Sequence, residues 1–195
     1  HTYCKDCNKK LKSGKAIPKL SSNTVTYKSA TGRVYKVDKG VNITDYTMKL
    51  NTKTVKSKYR DFELELFRLC NAERKKAGLA ELEWYEDAYY FANIRAKELY
   101  KSWSHTRPNG KKWSTVYTDN DVILKADRAE NMYMGYGYSV NSSGYPERVM
   151  DTFLNSALHK KEILNKNAKK CAIAVFAKSD GNGGHEVRVV QHFFE

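Results

Sequence analysis

The hydrophobic period of this chain changes near residue 57, and that change limits what the chain can fold into. Before it the text is rich in Lys, Ser, Thr and Asn. Two short alternating stretches, Thr24-Val25-Thr26-Tyr27 and Arg33-Val34-Tyr35-Lys36-Val37, flank the turn signal Thr31-Gly32. Alternation marks half-buried strands, so one hairpin fits there, but the apolar residues are too few for a core. After residue 57 the period becomes helical. Phe62, Leu66, Leu69 and Cys70 share one face at i, i+4, i+7 and i+8, and Gly78 supplies a C-terminal stop. A second amphipathic helix is expected over Tyr85 to Lys101, with Ala88, Phe91, Ala92, Arg95, Ala96 and Leu99 on its inner stripe. A third starts at Pro146, well placed for a first helical turn, and runs through Val149, Met150, Phe153 and Leu154 towards His159.

Two strands follow. Ala172 to Ala177 is an apolar run, Asp180-Gly181-Asn182-Gly183-Gly184 is a turn, and Glu186 to Phe194 returns with alternation. Helices followed by hairpin-linked strands argue for an α+β fold with an antiparallel sheet. With 195 residues and 41% apolar content the chain can bury one good-sized core. The expected organisation is a basic extension over residues 1–57, with room for one hairpin, and a domain over 58–195. Because the extension holds few apolar residues, it is expected to be removable without unfolding the rest.

Charge is distributed the same way. Residues 1–57 carry 13 Lys or Arg against 3 Asp, whereas residues 58–195 carry 22 against 19 acidic residues. A diffuse charge dominated by Lys suits an anionic polymer or surface, since an ammonium needs no fixed geometry. Nucleic acid fits less well: the arm is poor in Arg, and its tyrosines form no stacking platform. Anionic cell-envelope polymer or lipid fits better, given secretion. No run of eighteen apolar residues is present, so no membrane-spanning helix is expected, nor are the charged and apolar regions of a signal peptide. A start at His1 rather than Met is what a processed or trimmed chain would have.

The candidate site is a trio, His105, Glu130 and His159, each at the edge of a segment patterned as a packed element. Two imidazoles and a carboxylate so far apart in sequence meet only where a fold forms a cleft. The residues around them resemble the CAP superfamily, the SCP-like domains of bacteria related to cysteine-rich secretory proteins, antigen 5 and plant pathogenesis-related proteins. The resemblance begins with Leu69, Asn71, Glu73, Arg74, Gly78, Leu79, Leu82 and Trp84, and continues with Ala92, Arg95, Ala96, Glu98 and Leu99. Further along, Ser104-His105-Thr106-Arg107-Pro108-Asn109-Gly110, Ala129-Glu130-Asn131 with Gly135, and Phe153-x-x-Ser156-x-x-His159 match the family's segments, as do Ile163-Leu164-Asn165 and Gln191-x-Phe193. The match covers about residues 60 to 194 and excludes the arm.

That resemblance implies a three-layer α-β-α sandwich with a central antiparallel sheet and a large cleft, secreted or displayed at the cell surface. Animal members hold two His and two Glu there, a set able to bind zinc or another divalent cation. His105, Glu130 and His159 match three of these positions. The fourth falls near Asn155 or Ser156, neither of them acidic. Three readings of the trio stay open: a three-ligand zinc set with water in the fourth place, a hydrogen-bonded network lining a cleft, or a catalytic group. The sequence shows no His-Glu-x-x-His helix and no Gly-x-Ser-x-Gly elbow, and a Ser beside a His at a helix end is more often a cap. His192 on the last strand could face either way.

The cysteines divide into two kinds. Cys4 and Cys7 are half of a four-cysteine zinc pattern without its second half, or a local disulfide, while Cys70 and Cys171 fall on core elements where they could pair or stay as buried thiols. Tyr133, Tyr136, Tyr138 and Tyr145 cluster after Glu130 in a Gly-rich stretch that reads as a loop beside the cleft. Two function classes remain. One is a secreted or cell-surface module whose cleft binds a small ligand, such as a lipid, peptide or glycan, with the arm holding it to the envelope. The other is a metal-assisted hydrolase, a peptidase first among them.

Overall fold

The chain is described by a computed structural model over residues 24–124 and 128–195, so the expectations for Cys4 and Cys7 lie outside the described residues. In chain order the elements are β1 (Thr24–Lys28), β2 (Val34–Asp38), α1 (Ile43–Asn51), α2 (Arg60–Lys76), β3 (Glu83–Trp84) and α3 (Glu86–Lys101). They continue with α4 (Thr115–Thr118), β4 (Arg128–Gly137), α5 (Tyr145–Leu154), α6 (Ala157–Ile163), β5 (Lys170–Ser179) and β6 (His185–Phe194).

The central sheet has the order β3-β5-β6-β4. Its three long strands are antiparallel, as the hairpin pattern predicts, while two-residue β3 pairs parallel with β5 and makes the sheet mixed. Successive side chains of a strand point to opposite faces, and here the alternation separates two cores. Cys171, Ile173, Val175, Val187, Val189 and Phe193 pack with α2, α5 and α6. Ala172, Ala174, Val190, Phe194 and Met132 pack with α3 and α4. The result is the α-β-α sandwich.

Two local readings change. The Gly-rich stretch after Glu130 is a strand, paired with β6 from Arg128↔Phe194 to Gly137↔His185. Gly135 is compatible with it because the Tyr133 ring, on the same face, lies where a Cβ would project. The third helix, expected to reach His159, stops at Leu154; Ser156 then caps a separate helix, accepting from the amide of His159. His159 therefore sits in the first turn of α6. Cys70 and Cys171 are free and buried, with burial raising both thiols, Cys70 to about 12.

The described part of the arm is not a solvated tail. β1 and β2 pair as a hairpin, and Tyr35, Val37 and Ile43 form a small core against Ile123. Met48 of α1 is fully buried in the core around α3. Ser29 Oγ donates to Asp121 Oδ1 at 2.9 Å, Thr47 Oγ accepts from the Ile123 amide at 3.1 Å, and Asp45 takes Lys170 at 3.1 Å and the Tyr85 hydroxyl. Composition undervalued this segment because a few well-placed apolar side chains suffice when the other half of the core lies elsewhere.

Arm and domain meet at Glu63, a fully buried carboxyl on α2. It accepts from Ser57 Oγ (3.1 Å), from the Tyr89 hydroxyl (2.6 Å) and from the Val175 amide of β5 (3.0 Å), beyond the reach of β3. Burial pushes its pKa up to about 7, against the opposing effect of these bonds. A carboxyl raised in the folded state favours folding below its ordinary value, and this contribution is lost as pH rises from about 4.5 to about 7. At about 1.4 kcal/mol per unit, the loss is on the order of 3 kcal/mol. Glu63→Gln can keep the bonds accepted from Ser57 and Val175 through its one carbonyl oxygen, while its amide nitrogen turns to donate to the Tyr89 hydroxyl, and it is expected to remove that slope from urea-unfolding free energies measured across the window. A slope of the same steepness in the variant would assign it to another group.

Candidate functional site

His105 is carried by the loop between α3 and α4, and the loop is built to hold it. The Trp113 amide donates to the His105 carbonyl at 2.8 Å, and Thr106 bridges Lys112. Gly110 closes the Pro108-Asn109 turn in the left-handed region, at φ +81°. Arg107 anchors the loop from below, donating to both Glu98 oxygens (2.8–3.1 Å), to Thr115 Oγ1 (3.1 Å) and to Asp119 Oδ2 (2.8 Å). Ser104 Oγ accepts from the Thr106 amide, a turn role.

Glu130, on edge strand β4, is the hub. Its side chain is fully buried and bound on every side. Arg95 of α3 donates through Nε to Oε2 (3.0 Å) and through Nη2 to Oε1 (3.1 Å). His105 Nδ1 reaches Oε1 at 2.9 Å, and His192 Nε2, directly across the ladder, reaches Oε2 at 3.1 Å. Burial alone would raise this carboxyl, but the hydrogen bonds donated by His105, His192 and Arg95 outweigh it, holding the pKa at about 2.

An ionised carboxylate only accepts, so both ring nitrogens facing it carry protons. For His192, Nδ1 is then free to accept from the Tyr117 hydroxyl at 2.6 Å. Complete burial lowers the His192 pKa against the pull of Glu130, so its ring is neutral. Trp113 covers it at a centroid distance of 4.7 Å. For His105, Nδ1–H is spent on Glu130, and the side chain, 54% exposed, presents Nε2 to the outside. This is the carboxylate-oriented imidazole found wherever an enzyme or binding site needs a fixed ring.

His159 comes from the other layer. Asn131, next to Glu130 on β4, points to the opposite face and donates to the His159 carbonyl at 3.0 Å. The half-buried ring packs edge-on against Phe153 at 5.2 Å. Burial lowers its pKa, and the charge of His105 lowers it further. Arg74 of α2 holds α6 from behind, donating to the carbonyls of Ile163 (2.8 Å), Asn165 (2.8 Å) and Ala168 (3.2 Å), which stabilises a helix C-terminus. Beside α6 a cavity of about 250 Å³ opens, lined by Ala129, Lys161, Glu162, Asn165 and Phe193 among others.

The structure thus joins His105 to Glu130 directly, whereas His159 is tied to β4 through its carbonyl and the Asn131 side chain. The three do not fit a three-ligand metal site. All four lone-pair directions of Glu130 receive N–H donors, and among the described residues no group of three His, Cys, Asp or Glu is placed to hold a metal ion. Glu130 orients imidazoles instead of presenting an oxygen.

Three participants escaped the sequence reading: Arg95 as partner of Glu130, His192 and Tyr117. A signal existed for two of them. Arg95 on an alanine-rich inner stripe needed a buried anion, and the parity of Val190, His192 and Phe194 puts all three on one face. Tyr117 carried none.

Comparisons with known proteins agree with the fold. The model of the cysteine-rich secretory protein family, CAP, matches residues 67–193. Among solved structures, an extracellular protein containing an SCP domain from Bacillus anthracis superposes with a TM-score of 0.56 at 16% identity, over 84% of this chain and 47% of that one. The present chain therefore spans about half the length of that protein. An outer surface protein from Borrelia burgdorferi gives a TM-score of 0.55 at 21% identity, over 73% of this chain and 98% of that one. At these identities the likeness is one of fold. No curated protein sequence matches the chain significantly.

Proposed function

Because this chain belongs to the CAP, or cysteine-rich secretory protein, family, we propose that it is an extracellular binding module whose ligand docks at the β4 edge against His105 and His159. The carrying observation is the saturation of Glu130. Three bonds from Arg95 and His192 fix Glu130, and the fourth orients His105 with one nitrogen turned outward, an arrangement that fixes a hydrogen-bonding group in advance of binding. Among the described residues no hydroxyl or thiol is shown bonded to the His105 ring: Ser104 Oγ accepts from the Thr106 amide, and Cys70 and Cys171 are buried in the core of the α2 layer. The ligand is a small lipid, peptide or glycan. Exposed Tyr136 and Tyr138, stacked edge-on at 5.7 Å near the end of β4, suit a peptide or glycan face. An extracellular setting is supported by the relatives from Bacillus anthracis and Borrelia burgdorferi, an extracellular and an outer surface protein.

One observation favours a second reading, hydrolysis. A carboxylate-held imidazole can also act as a general base on water. Arrays of lipids, peptides and glycans, with a peptide-library turnover assay with and without zinc, separate the two. Expected is a ligand whose retention the His105→Ala His159→Ala double variant loses, with no turnover and no stoichiometric zinc uptake by chelator-treated protein at neutral pH. Turnover abolished by the double variant would establish the hydrolase, and zinc uptake abolished by His105→Ala would restore the metal.

The arm is assigned the envelope. Its described residues carry seven Lys or Arg, all exposed, against two Asp. Retention on anionic polymer or anionic vesicles is expected to fall steeply between low and high salt, because exposed charges are screened beyond about 10 Å at 0.1 M. Retention that is indifferent to salt would count against electrostatic attachment.

A further inference from the structure

The face of the sheet behind His159 holds a polar cluster that the binding reading does not use. Asn131 and Gln191 are cross-strand partners on β4 and β6, and both are buried among apolar residues of the α5/α6 layer. Asn131 Nδ2 donates to the His159 carbonyl (3.0 Å) and to Gln191 Oε1 (3.3 Å). A carbonyl only accepts, so these bonds fix both amide orientations. Three buried atoms are then left without a partner among the described residues: Asn131 Oδ1, Gln191 Nε2 and His159 Nδ1. They come from three elements that Asn131 already joins, through the His159 backbone carbonyl and the Gln191 side chain. Buried polar atoms in native proteins are paired, commonly by an internal water.

We infer that Asn131, Gln191 and His159 form a buried site for one water molecule, and that this site fixes His159 in the tautomer opposite to that of His105. Gln191 Nε2 donates to the water, which donates one proton to Asn131 Oδ1 and the other to His159 Nδ1. Each of the three atoms then has a partner, and the one hydrogen left over is the second N–H of Gln191. With a proton on Nδ1 instead, the water would accept twice and donate once, leaving one of its O–H groups unpaired in an apolar layer. The arrangement with fewer unpaired hydrogens takes Nδ1 as acceptor and leaves Nε2–H on the exposed part of the ring.

In their neutral forms the two imidazoles thus present unlike faces, His105 a lone pair and His159 an N–H. Such a pair complements a group that both donates and accepts, a hydroxyl or an amide, and opposes a cation, which needs both lone pairs. The tautomers stand on the hydrogen-bond inventory alone; the ligand class rests on the binding reading above. Long-range ¹H–¹⁵N correlation spectra of histidine-labelled protein, at a pH where both rings are neutral, test them. Substitutions His105→Gln and His159→Gln assign the signals. The expected spectrum shows His105 protonated at Nδ1 and His159 at Nε2. Gln191→Met, which removes the donor to the water, is expected to turn His159 into a tautomer mixture while His105 keeps its pattern. His159 protonated at Nδ1 in the wild type overturns the inference, as does a His159 pattern unchanged in folded Gln191→Met. The wild-type spectrum decides even if that variant does not fold. A protein that shows these tautomers but retains no ligand leaves this inference standing and removes the binding reading.

Discussion

Deleting residues 1–52 is expected to abolish the cooperative unfolding transition of the remaining domain, or to lower its urea midpoint severely. The deletion takes away Met48, fully buried against α3, and Ile43, and with Tyr35 and Val37 it uncovers Ile123. It also strips the partners from Asp121, held at φ 64° in the left-handed region by Ser29 and the Tyr35 hydroxyl. Met48→Ala by itself should cost about 2–5 kcal/mol, the range for a buried large-to-small change. That is a large share of the roughly 5–15 kcal/mol that stabilises a typical domain. Val34→Ala, exposed on the same hairpin, should cost close to nothing. An unchanged midpoint in the truncated protein would show that the arm only rests on the domain.

Arg95→Met should be nearly as damaging, by another route. It removes two of the four donors to a fully buried Glu130 and one to Glu98, leaving charge in the interior without its main counter-ion. Breaking one side of a buried pair costs about 3–5 kcal/mol, mostly the penalty on the abandoned partner. Arg95→Lys should recover little, since an ammonium cannot reproduce the forked contact. Adding Glu130→Gln to Arg95→Met should cost much less than the sum of the two changes, because the stranded charge is gone. Additive losses would mean that the pair is not coupled.

The same carboxylate gives an acid signature. A folded-state pKa depressed to about 2 contributes stability above the ordinary value of 4.5, lost as pH falls through 4.5 towards 2. At about 1.4 kcal/mol per unit the contribution is on the order of 3 kcal/mol. Glu63 acts in the opposite direction, losing its contribution as pH rises to about 7. Stability should therefore peak in mildly acid solution and fall on both sides, with Glu130→Gln flattening the acid limb and Glu63→Gln the neutral one.

Much of the site was legible because its parts are local. The turn residues Pro108-Asn109-Gly110, the cap Ser156 and the segments around His105, Glu130 and His159 each act within a few positions of themselves, so spacing reveals them. The Gly-rich strand β4 was not legible: Gly135 and Gly137 read as loop residues until the Tyr133 ring is seen lying over Gly135. Helix α1 was hidden for a related reason, since Ile43 and Met48 sit in polar text and gain their meaning only from the core they enter.

From the sequence alone came the helical and alternating periods, the antiparallel closing hairpin, the family and the residues of the trio, carried by short local patterns in a fixed order along the chain. Tertiary structure decided which side of the sheet each residue faces and who its partner is. Glu130 and Asn131 are neighbours in sequence, yet one faces Arg95, His105 and His192 and the other faces His159 and Gln191. A strand's two-residue period separates its faces without saying which helices cover them. A buried carboxylate becomes a metal ligand or an orienting anion according to how many donors the rest of the fold aims at it.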